Sequence, residues 1–367
     1  MNNKVIFVGH FSNVGALKNS AASPAGDIVQ QKIIDDSKDV FGVENFYYLS
    51  MEPRACWPKG SLFENGTSDS SGCFISFFNL PIIKNLIFSL LIFYKIVKER
   101  PHKVIVFNNY PFESFFILFS SFIVSTKTVL ILQDLKVGGE FSFLSKVQDY
   151  LASKLARFYK VFIPVSSTLT NYLKVDVNKE IVFKGGVTDF GFQASKYPKY
   201  VDSIATFAGA LEKHNGIDKL IKAWSMNKQR MDLHIFGRGS LQSEVLRFSN
   251  QFDNIIYHGL VEQDVVLSFQ MRSKFNFCLR YSEGINEKFF FPSKFFNVSM
   301  CPGAMVCNDF YGLPNYRGGE KFVLNQNLSN LNDILSLSDE EISDASLIRK
   351  DYILLNHTWK SLLTRLV

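Results

Sequence analysis

The sequence predicts an α/β protein made of two Rossmann-like domains that face each other across a cleft. Strand-like and helix-like segments alternate along nearly the whole chain, which is typical of parallel sheets covered by helices. With 367 residues the chain is long for a single hydrophobic core. A stretch without an apolar period, from 187 to 202, separates the two halves. We therefore predict a first domain at 1–188, a second at 200–345 and a terminal helical segment at 346–367.

The composition is that of a folded globular protein, with 47% apolar and 20% charged residues. The net charge of +6 is mild and no long basic block is present, so nucleic-acid binding is not expected, although a basic face toward acidic lipid remains an alternative. The five cysteines lack metal-ligand spacing, which predicts reduced thiols in the cytoplasm. The N-terminus has no signal-peptide layout. Polar residues interrupt the two most apolar stretches, 74–97 and 112–132, so no transmembrane span is predicted.

The first half alternates strands with helices. Each strand is a short run of apolar residues rich in Val, Ile, Phe or Tyr, bounded by turn residues. The predicted strands lie at 4–11, 45–51, 103–109, 128–134, 160–166 and 180–186. The predicted helices lie at 24–40, 80–99, 111–121 and 143–159, and a long polar loop fills 52–72.

The second half repeats this alternation after the linker. The predicted strands lie at 204–211, 232–237, 254–259, 275–279 and 304–307, and helices begin at 241, 262 and 292. The first helix of this half is marked by Ile217, Leu220, Ile221 and Trp224, which form one apolar stripe at helical spacing. The terminal helical segment contains Trp359.

The stretch from 275 to 309 contains the strongest candidate site. Ligands of open parallel sheets bind beyond the carboxyl ends of the strands, and here Glu283 and Glu287 follow a buried strand. The next helix has Ser293 and Lys294 in its first turn, where free N–H groups and the helix dipole favour an anion. A lysine opposes that dipole unless an anion is bound, so Lys294 is the best phosphate candidate. For the two glutamates the alternative is a solvated loop.

Three further turns of the second half follow strands. The turn at 209–216 has glycines that permit close backbone approach, and Lys213 would meet an anion there. Arg238 follows Gly237 and is a possible second phosphate contact. Backbone groups near Gly259 could contact the edge of a base. Each alternative is an ordinary strand–helix turn with solvated side chains.

Candidate residues of the first half also follow strands. His10 and the loop through Gly15 come after the first strand, and Asn108 and Asn109 come after a later one. Asp134 ends the strand at 128–134. It could act as a base or cap the next segment, and both interpretations stay open.

Two helical patterns of the first half are both aromatic and basic. In 143–160, four apolar residues share one face (Val147, Leu151, Leu155 and Phe158) and three basic residues lie on an adjacent face (Lys146, Arg157 and Lys160). The earlier pattern contains Phe88, Phe93, Tyr94, Lys95, Lys98 and Arg100. Such helices could lie on an anionic membrane surface, or they could pack on the core with a solvated back.

The order of these motifs resembles the large retaining GT-B glycosyltransferase superfamily of bacterial surface-polysaccharide synthesis. The resemblance covers nearly the whole chain, although the first half matches only in pattern. It is carried by the segments FAGALEKHNGIDKLIKAW, DLHIFGRGSLQSEV, IIYHGLVEQDVVLSFQ and FPSKFFNVSMCPGAMVCND. The helix with Trp359 is similar to the last helix of the family, which crosses back onto the first domain.

The resemblance implies transfer of a sugar from a nucleotide diphosphate sugar, UDP- or GDP-linked, with retention of configuration and without an obligatory metal or other cofactor. The first domain would bind the acceptor and the second the donor. Lys213 and Lys294, helped by Arg238, would neutralise the leaving diphosphate. Ser293 and Gly259 would also bind the donor.

The resemblance also implies roles for the remaining candidates. Glu283 or Glu287 would hold sugar hydroxyls, and the loop around Gly15 would close over the phosphates. Asp134 or His10 would lie near the acceptor. One departure is that Asn297 stands where the family usually has a glutamate that binds the ribose hydroxyls. An amide bonds a diol more weakly than a carboxylate does.

These observations predict a cytoplasmic glycosyltransferase, peripheral on the inner membrane, that acts on a lipid-linked oligosaccharide in O-antigen or capsule synthesis and binds no nucleic acid. One alternative is a nucleotide-sugar epimerase of the same fold. The departure at Asn297 raises another alternative, a degenerate, non-catalytic partner that scaffolds an active transferase.

Overall fold

A computed structural model describes residues 3–12, 24–133, 143–187, 199–226, 231–282 and 287–367. The chain divides into two compact units. The first comprises Met1–Lys184 and Trp359–Val367, and the second comprises Gly185–Thr358. Each unit is built on a mainly parallel sheet whose strands alternate with helices, so the predicted α/β class is confirmed.

The first unit contains a seven-stranded sheet of order β4-β5-β2-β1-β7-β8-β9, parallel except for the antiparallel edge strand β4. A two-stranded sheet pairs β3 with β6. The strands are β1 (Val5–Gly9), β2 (Phe46–Ser50), β3 (Phe63–Glu64), β4 (Thr67–Asp69), β5 (Gly72–Phe74), β6 (Phe77–Phe78), β7 (Lys103–Phe107), β8 (Lys127–Leu132) and β9 (Val161–Pro164).

The helices of the first unit occupy most of the predicted positions. They are α1 (Pro24–Phe41), α2 (Ile83–Glu99), α3 (Pro111–Val124), α4 (Phe143–Ala156) and α5 (Ser167–Leu173). The core of this unit also contains residues from the end of the chain, because Trp359 is 1% exposed and its ring lies 4.9 Å from that of Phe183.

Two predictions for the first unit need correction. The segment 180–186 is not a strand. Ile181 and Phe183 donate to the carbonyls of Phe162 and Pro164, and the pairing stops where Gly185 takes a φ of 136°. The polar loop predicted at 52–72 contains β3 and β4, which were missed because strands of two or three mostly exposed residues leave no apolar period.

The second unit contains a six-stranded parallel sheet of order β12-β11-β10-β13-β14-β15. Its strands are β10 (Asp202–Ala208), β11 (Leu233–Phe236), β12 (Ile255–Gly259), β13 (Ser273–Phe277), β14 (Ala304–Asn308) and β15 (Val323–Leu324). Its helices are α6 (Ile217–Ser225), α7 (Gln242–Gln251), α8 (Gln263–Arg272), α9 (Lys294–Ser299), α10 (Leu331–Leu335) and α11 (Asp339–Asn356). The predicted apolar stripe of α6 is fully buried, which confirms its period.

The terminal segment forms two helices. After α11, Thr358 bridges to Val187, and the Val187 N–H donates to the His357 carbonyl at 2.9 Å. This extended pairing interrupts the helix, and α12 (Trp359–Thr364) then begins in the first unit. The start of α11 was also missed, although Ser338 and Glu341 form a capping box that is readable in the sequence. In the described ranges, no helix is long and apolar enough to cross a membrane.

Candidate functional site

Lys294 lies at the start of α9, and its ammonium is buried. The Nζ atom is shielded from solvent and, among the described residues, has no hydrogen-bond partner. It lies 4.6 Å from the centroid of the Phe207 ring. Burial lowers the pKa of Lys294, and the nearby charge of Arg280 lowers it further. A buried cation that has no counter-charge among the described side chains is costly, so this geometry favours an anionic ligand at the ammonium.

Three glycines lie side by side at the carboxyl ends of β10, β11 and β12. The Gly209 N–H donates to the Phe236 carbonyl at 3.1 Å, and the Gly237 N–H donates to the Gly259 carbonyl at 2.8 Å. A side chain at Gly237 would overlap the carbonyl oxygen of Gly209, and φ at Gly237 is 127°. A Cβ at Gly209 would stand 3.6 Å from the Nζ of Lys294. The glycines thus leave open backbone beside the buried ammonium.

The turns that carry Lys213 and Arg238 are bonded to each other. The Leu211 N–H donates to the Arg238 carbonyl at 3.0 Å. The carboxylate of Glu212 accepts the Ser240 N–H at 2.9 Å and the Ser240 hydroxyl, and these bonds lower the pKa of Glu212. Both Lys213 and Arg238 are exposed. The structure therefore holds together two turns that the sequence identified separately.

Arg280 and His214 were missed by the sequence analysis. Arg280 is fixed through its backbone, because its N–H donates to Asn308 Oδ1 at 2.7 Å and its carbonyl accepts from Asn308 Nδ2 at 2.6 Å. Burial lowers the pKa of His214, and the charges of Arg280 and Lys294 also lower it. Arg280 could have been identified from the sequence as a candidate, because it follows a buried strand just as Glu283 does. Three basic groups thus influence one another at this edge of the sheet.

The other predicted residues of α9 contribute less. The helix begins at Lys294, not at Pro292, and has only six residues, so its dipole is small. Ser293 is exposed and forms no side-chain cap, and Asn297 is partly buried one turn further on. The buried ammonium, and not the helix end, is the main anion-binding feature.

Arg349 of α11 anchors the far end of α9. Its buried guanidinium donates to the carbonyls of Ser299 at 2.9 Å, Cys301 at 2.7 Å and Gly303 at 2.9 Å. Unpaired carbonyls at a helix C-terminus favour a cation. This residue therefore fixes the short helix that carries Lys294.

In the first unit, His10 lies directly beyond the carboxyl end of β1. Its Nε2 is 2.9 Å from Oε2 of Glu113, which is in the first turn of α3 and is buried. Gln30 bonds both backbone groups of His10, accepting its N–H at 3.0 Å and donating to its carbonyl at 2.7 Å.

Several predicted residues cannot be placed in this geometry. Gly15, Asp134 and Glu283 lie outside the described residues. Glu287 belongs to the short 3-10 helix Glu287–Phe289, and only its backbone is described. Their roles remain predictions.

The fold matches those of several solved glycosyltransferase structures. Anabaena HepE in complex with UDP has 13% sequence identity and a TM-score of 0.67, and the alignment covers 99% of this chain and 98% of HepE. The trehalose-6-phosphate synthase of Burkholderia multivorans has 11% identity and a TM-score of 0.67, with 100% and 98% of the two chains covered.

A third similar structure is the lipopolysaccharide outer core galactosyltransferase WaaB, with 11% identity, a TM-score of 0.59 and coverage of 98% and 97%. No family model and no curated protein matches the sequence. At these identities the likeness concerns the fold, and it confirms the resemblance at that level. The chain has the GT-B fold.

Proposed function

We propose that this protein is a glycosyltransferase that moves a sugar from a UDP- or GDP-linked donor to a lipid-linked saccharide. The observation that carries the proposal is the buried ammonium of Lys294, which has no hydrogen-bond partner among the described residues and lies beside the open backbone of Gly209. A diphosphate would supply the missing counter-charge. The solved structure of HepE with UDP-glucose, which has the same fold, supports this choice of ligand.

The site would act on the leaving group. When the bond between the anomeric carbon and the diphosphate oxygen breaks, the diphosphate leaves with the electron pair and gains negative charge. Lys294 would stabilise that charge where water is excluded, and Arg280, Lys213 and Arg238 would add to the positive potential. These cations would do the work that a metal ion does elsewhere, so we propose that transfer needs no obligatory metal or other cofactor. The resemblance implies retention of configuration.

The lipid-linked acceptor is supported by an exposed apolar face on the first unit. This apolar face consists of Leu86, Leu90, Leu91 and Tyr94 on α2, Phe112, Phe115, Phe119, Phe122 and Ile123 on α3, and Val147, Tyr150 and Leu151 on α4. Phe119 stacks on both Phe93 and Phe115. Large exposed apolar patches mark interaction surfaces, and aromatic side chains suit the boundary between lipid headgroups and acyl chains.

For the helix at 143–160 both alternatives stay open, and the exposure of several of its larger apolar residues supports the membrane surface. Among the α4 side chains whose burial is described, Ala152 and Ala156 are buried and Leu155 is partly buried, while Val147 and Leu151 are exposed, as is Phe158 just after the helix. The exposed Lys98 and Lys154 lie near the rings of Tyr94 and Tyr150. Aromatic and basic groups together fit an anionic membrane surface, which is why we propose a peripheral location at the inner membrane and a role in O-antigen or capsule synthesis.

The test begins with the pure protein and a panel of UDP- and GDP-sugars. Thermal stabilisation identifies the nucleotide, and a radiolabelled donor then reports transfer to a polyprenyl-diphosphate-linked saccharide. We expect stabilisation by one nucleotide family and label in the lipid fraction. Conversion of one nucleotide sugar into another would favour the epimerase alternative. Stabilisation by none of them would contradict the enzyme assignment and favour the scaffold.

A further inference from the structure

We propose that His234 and His258 are positioning residues for the donor site. Their hydrogen bond holds one extra residue of β12 in place and so keeps Gly259 beside Gly237, and donor binding weakens when both imidazoles are protonated. The inference rests on the proposed function, because it takes the open backbone at these glycines as part of the donor site. All the residues involved belong to the second unit.

The strand β12 contains a β-bulge beside the glycines. The register between β11 and β12 is regular up to Tyr257. Phe236 then pairs with Gly259, which makes His258 the extra residue of the bulge. In a regular register the Gly237 N–H would meet the carbonyl of His258, whereas here it donates to the Gly259 carbonyl at 2.8 Å. The place of Gly259 in the donor site therefore depends on the bulge.

His258 is held in the bulge by Phe236 and His234. Its ring is parallel to that of Phe236, with the centroids 4.4 Å apart and 6° between the planes. Its Nε2 atom is 2.8 Å from Nδ1 of His234 on β11. The two imidazole centroids are 5.1 Å apart and the planes differ by 15°, as expected when the rings lie end to end with the bond along the line of their centres. The lone pair of one nitrogen therefore points at the N–H of the other.

This pair of imidazoles can take up one proton without losing its hydrogen bond, but not two. The neutral pair shares one hydrogen between the facing nitrogens, and a first added proton can bind at a ring nitrogen that faces away. A second proton would put N–H groups on both facing nitrogens and two positive charges side by side. The bond is then lost, and with it the contact that holds His258 in the bulge.

The surroundings of the pair keep it neutral near neutral pH. Burial lowers the pKa of both histidines, and the charge of His258 lowers that of His234 further, whereas Asp232 and Asp202 raise it. The charged residues on the elements around the pair are Asp202 on β10, Asp232 before β11, and Asp264 and Arg272 on α8. Arg272 is paired with Asp202 at 2.9 Å. Because the pKa of each histidine is below its ordinary 6.5, the pair is intact above that pH and is lost on acidification below it.

The α8 helix also packs an aromatic ring against both imidazoles. The Phe269 centroid lies 4.8 Å from that of His234 and 5.2 Å from that of His258. An apolar ring cannot replace the lost hydrogen bond or solvate two neighbouring charges. Full protonation should therefore move His258 and loosen the end of β12.

The experiment measures the affinity for the sugar donor by calorimetric titration, from pH 8 down to the lowest pH at which the circular dichroism spectrum is unchanged. The sugar donor is used because both of its phosphates are esterified, whereas the terminal phosphate of a free nucleotide titrates at about pH 6. We expect the wild-type affinity to fall by about tenfold or more on acidification. Charging of His214 or Lys294 would instead raise the affinity, so the sign of the change identifies the pair.

Two variants separate the hydrogen bond from its titration. His234→Asn places an amide where Nδ1 stands, which can bond His258 in either charge state, so its affinity should stay nearly constant over the range. His258→Phe keeps a ring against Phe236 but removes the bond, so donor binding should be about tenfold weaker at every pH. His102→Asn, at an exposed histidine of the first unit, should show the wild-type profile.

The outcomes distinguish this inference from the proposed function. A wild-type affinity that does not change with pH, an equal fall in His234→Asn, or wild-type binding by His258→Phe would each overturn the role of the pair. Failure of the wild-type protein to bind any sugar donor at pH 8 would contradict the proposed function, and the inference with it.

Discussion

The Nζ atom of Lys294 lies 4.6 Å from the centroid of the Phe207 ring and, within the described residues, has no hydrogen-bond partner. A ring face attracts a cation but does not replace a counter-ion. The protein without ligand therefore bears an electrostatic cost that a bound anion removes. Replacing Lys294 by an uncharged residue should therefore weaken donor binding without destabilising the free protein.

The first prediction concerns Lys294→Met. Removing the buried charge should leave the free energy of unfolding unchanged or raise it by on the order of 1 kcal/mol. The same change should weaken UDP or GDP binding by about tenfold to a hundredfold, because charged hydrogen bonds to the diphosphate are lost. Urea unfolding and calorimetric titration measure the two effects. Lys222→Met, at an exposed lysine of α6, is the control and should change neither.

The second prediction is a pH dependence of nucleotide binding. Burial lowers the pKa of Lys294 below its ordinary 10.5, so the cost of the charge is fully present below the lowered pKa and is gone above 10.5. A bound diphosphate favours the charged form and raises this pKa again. Affinity should therefore decrease as the pH rises through the lowered pKa. Titrations of the wild type and Lys294→Met should diverge below the lowered pKa and converge as the pH rises above 10.5, and parallel curves would contradict the assignment.

The third prediction concerns Arg349. Arg349→Met should lower the free energy of unfolding by on the order of 3 kcal/mol, because the carbonyls of Ser299, Cys301 and Gly303, at and just after the end of α9, each lose the guanidinium as a donor, and of the three the Cys301 carbonyl still accepts from the Ser346 hydroxyl. The loosened helix carries Lys294, so nucleotide affinity should also fall. Arg247→Met removes an exposed arginine of the same unit and should leave both quantities near those of the wild type. If Arg349→Met binds the nucleotide with wild-type affinity, Arg349 does not influence nucleotide binding at Lys294.

The fourth prediction compares two glycines. Gly237→Ala would overlap the Gly209 carbonyl and push the two turns apart, whereas a Cβ at Gly318 would stand 3.8 Å from the Cβ of Ala345, an ordinary van der Waals contact. Both residues have positive φ, so both changes carry a backbone cost of about 1 kcal/mol. Only Gly237→Ala should weaken nucleotide binding as well. Equal binding losses in the two variants would show that the close approach of Gly237 to Gly209 is unimportant.

The fifth prediction tests the apolar face. Phe122 is 85% exposed on α3, and Phe122→Glu should reduce binding to vesicles of anionic lipid in a flotation assay. Inserting a carboxylate among lipid acyl chains costs free energy, and anionic headgroups repel its charge. Leu355→Glu places the same charge at a residue of the second unit that is 77% exposed. If both variants bind vesicles as the wild type does, the apolar face is not a membrane surface.

The sequence identified Lys294 as a candidate phosphate ligand because a lysine in the first turn of a helix opposes the helix dipole. It could not predict that the ammonium is buried against Phe207, since that depends on which strands are neighbours. The same limit applies to Gly237, whose importance comes from a contact with Gly209 on the adjacent strand. Arg280 could have been found, because it follows a buried strand. His10 was identified by its position, but Glu113 lies more than a hundred residues away and reaches it only through the pairing of β1 with β7 and the packing of α3.

The bridge between Thr358 and Val187 also determines how the protein can be divided experimentally. The second unit is one continuous insertion, and its two ends are hydrogen-bonded to each other. A fragment from 185 to 358 therefore contains both ends and the pairing that joins them. The first unit cannot be obtained by simple truncation, because Trp359, Leu362 and Leu363 belong to its core. Expressing that unit alone requires a short engineered link that replaces the insertion and retains the last nine residues, Trp359–Val367.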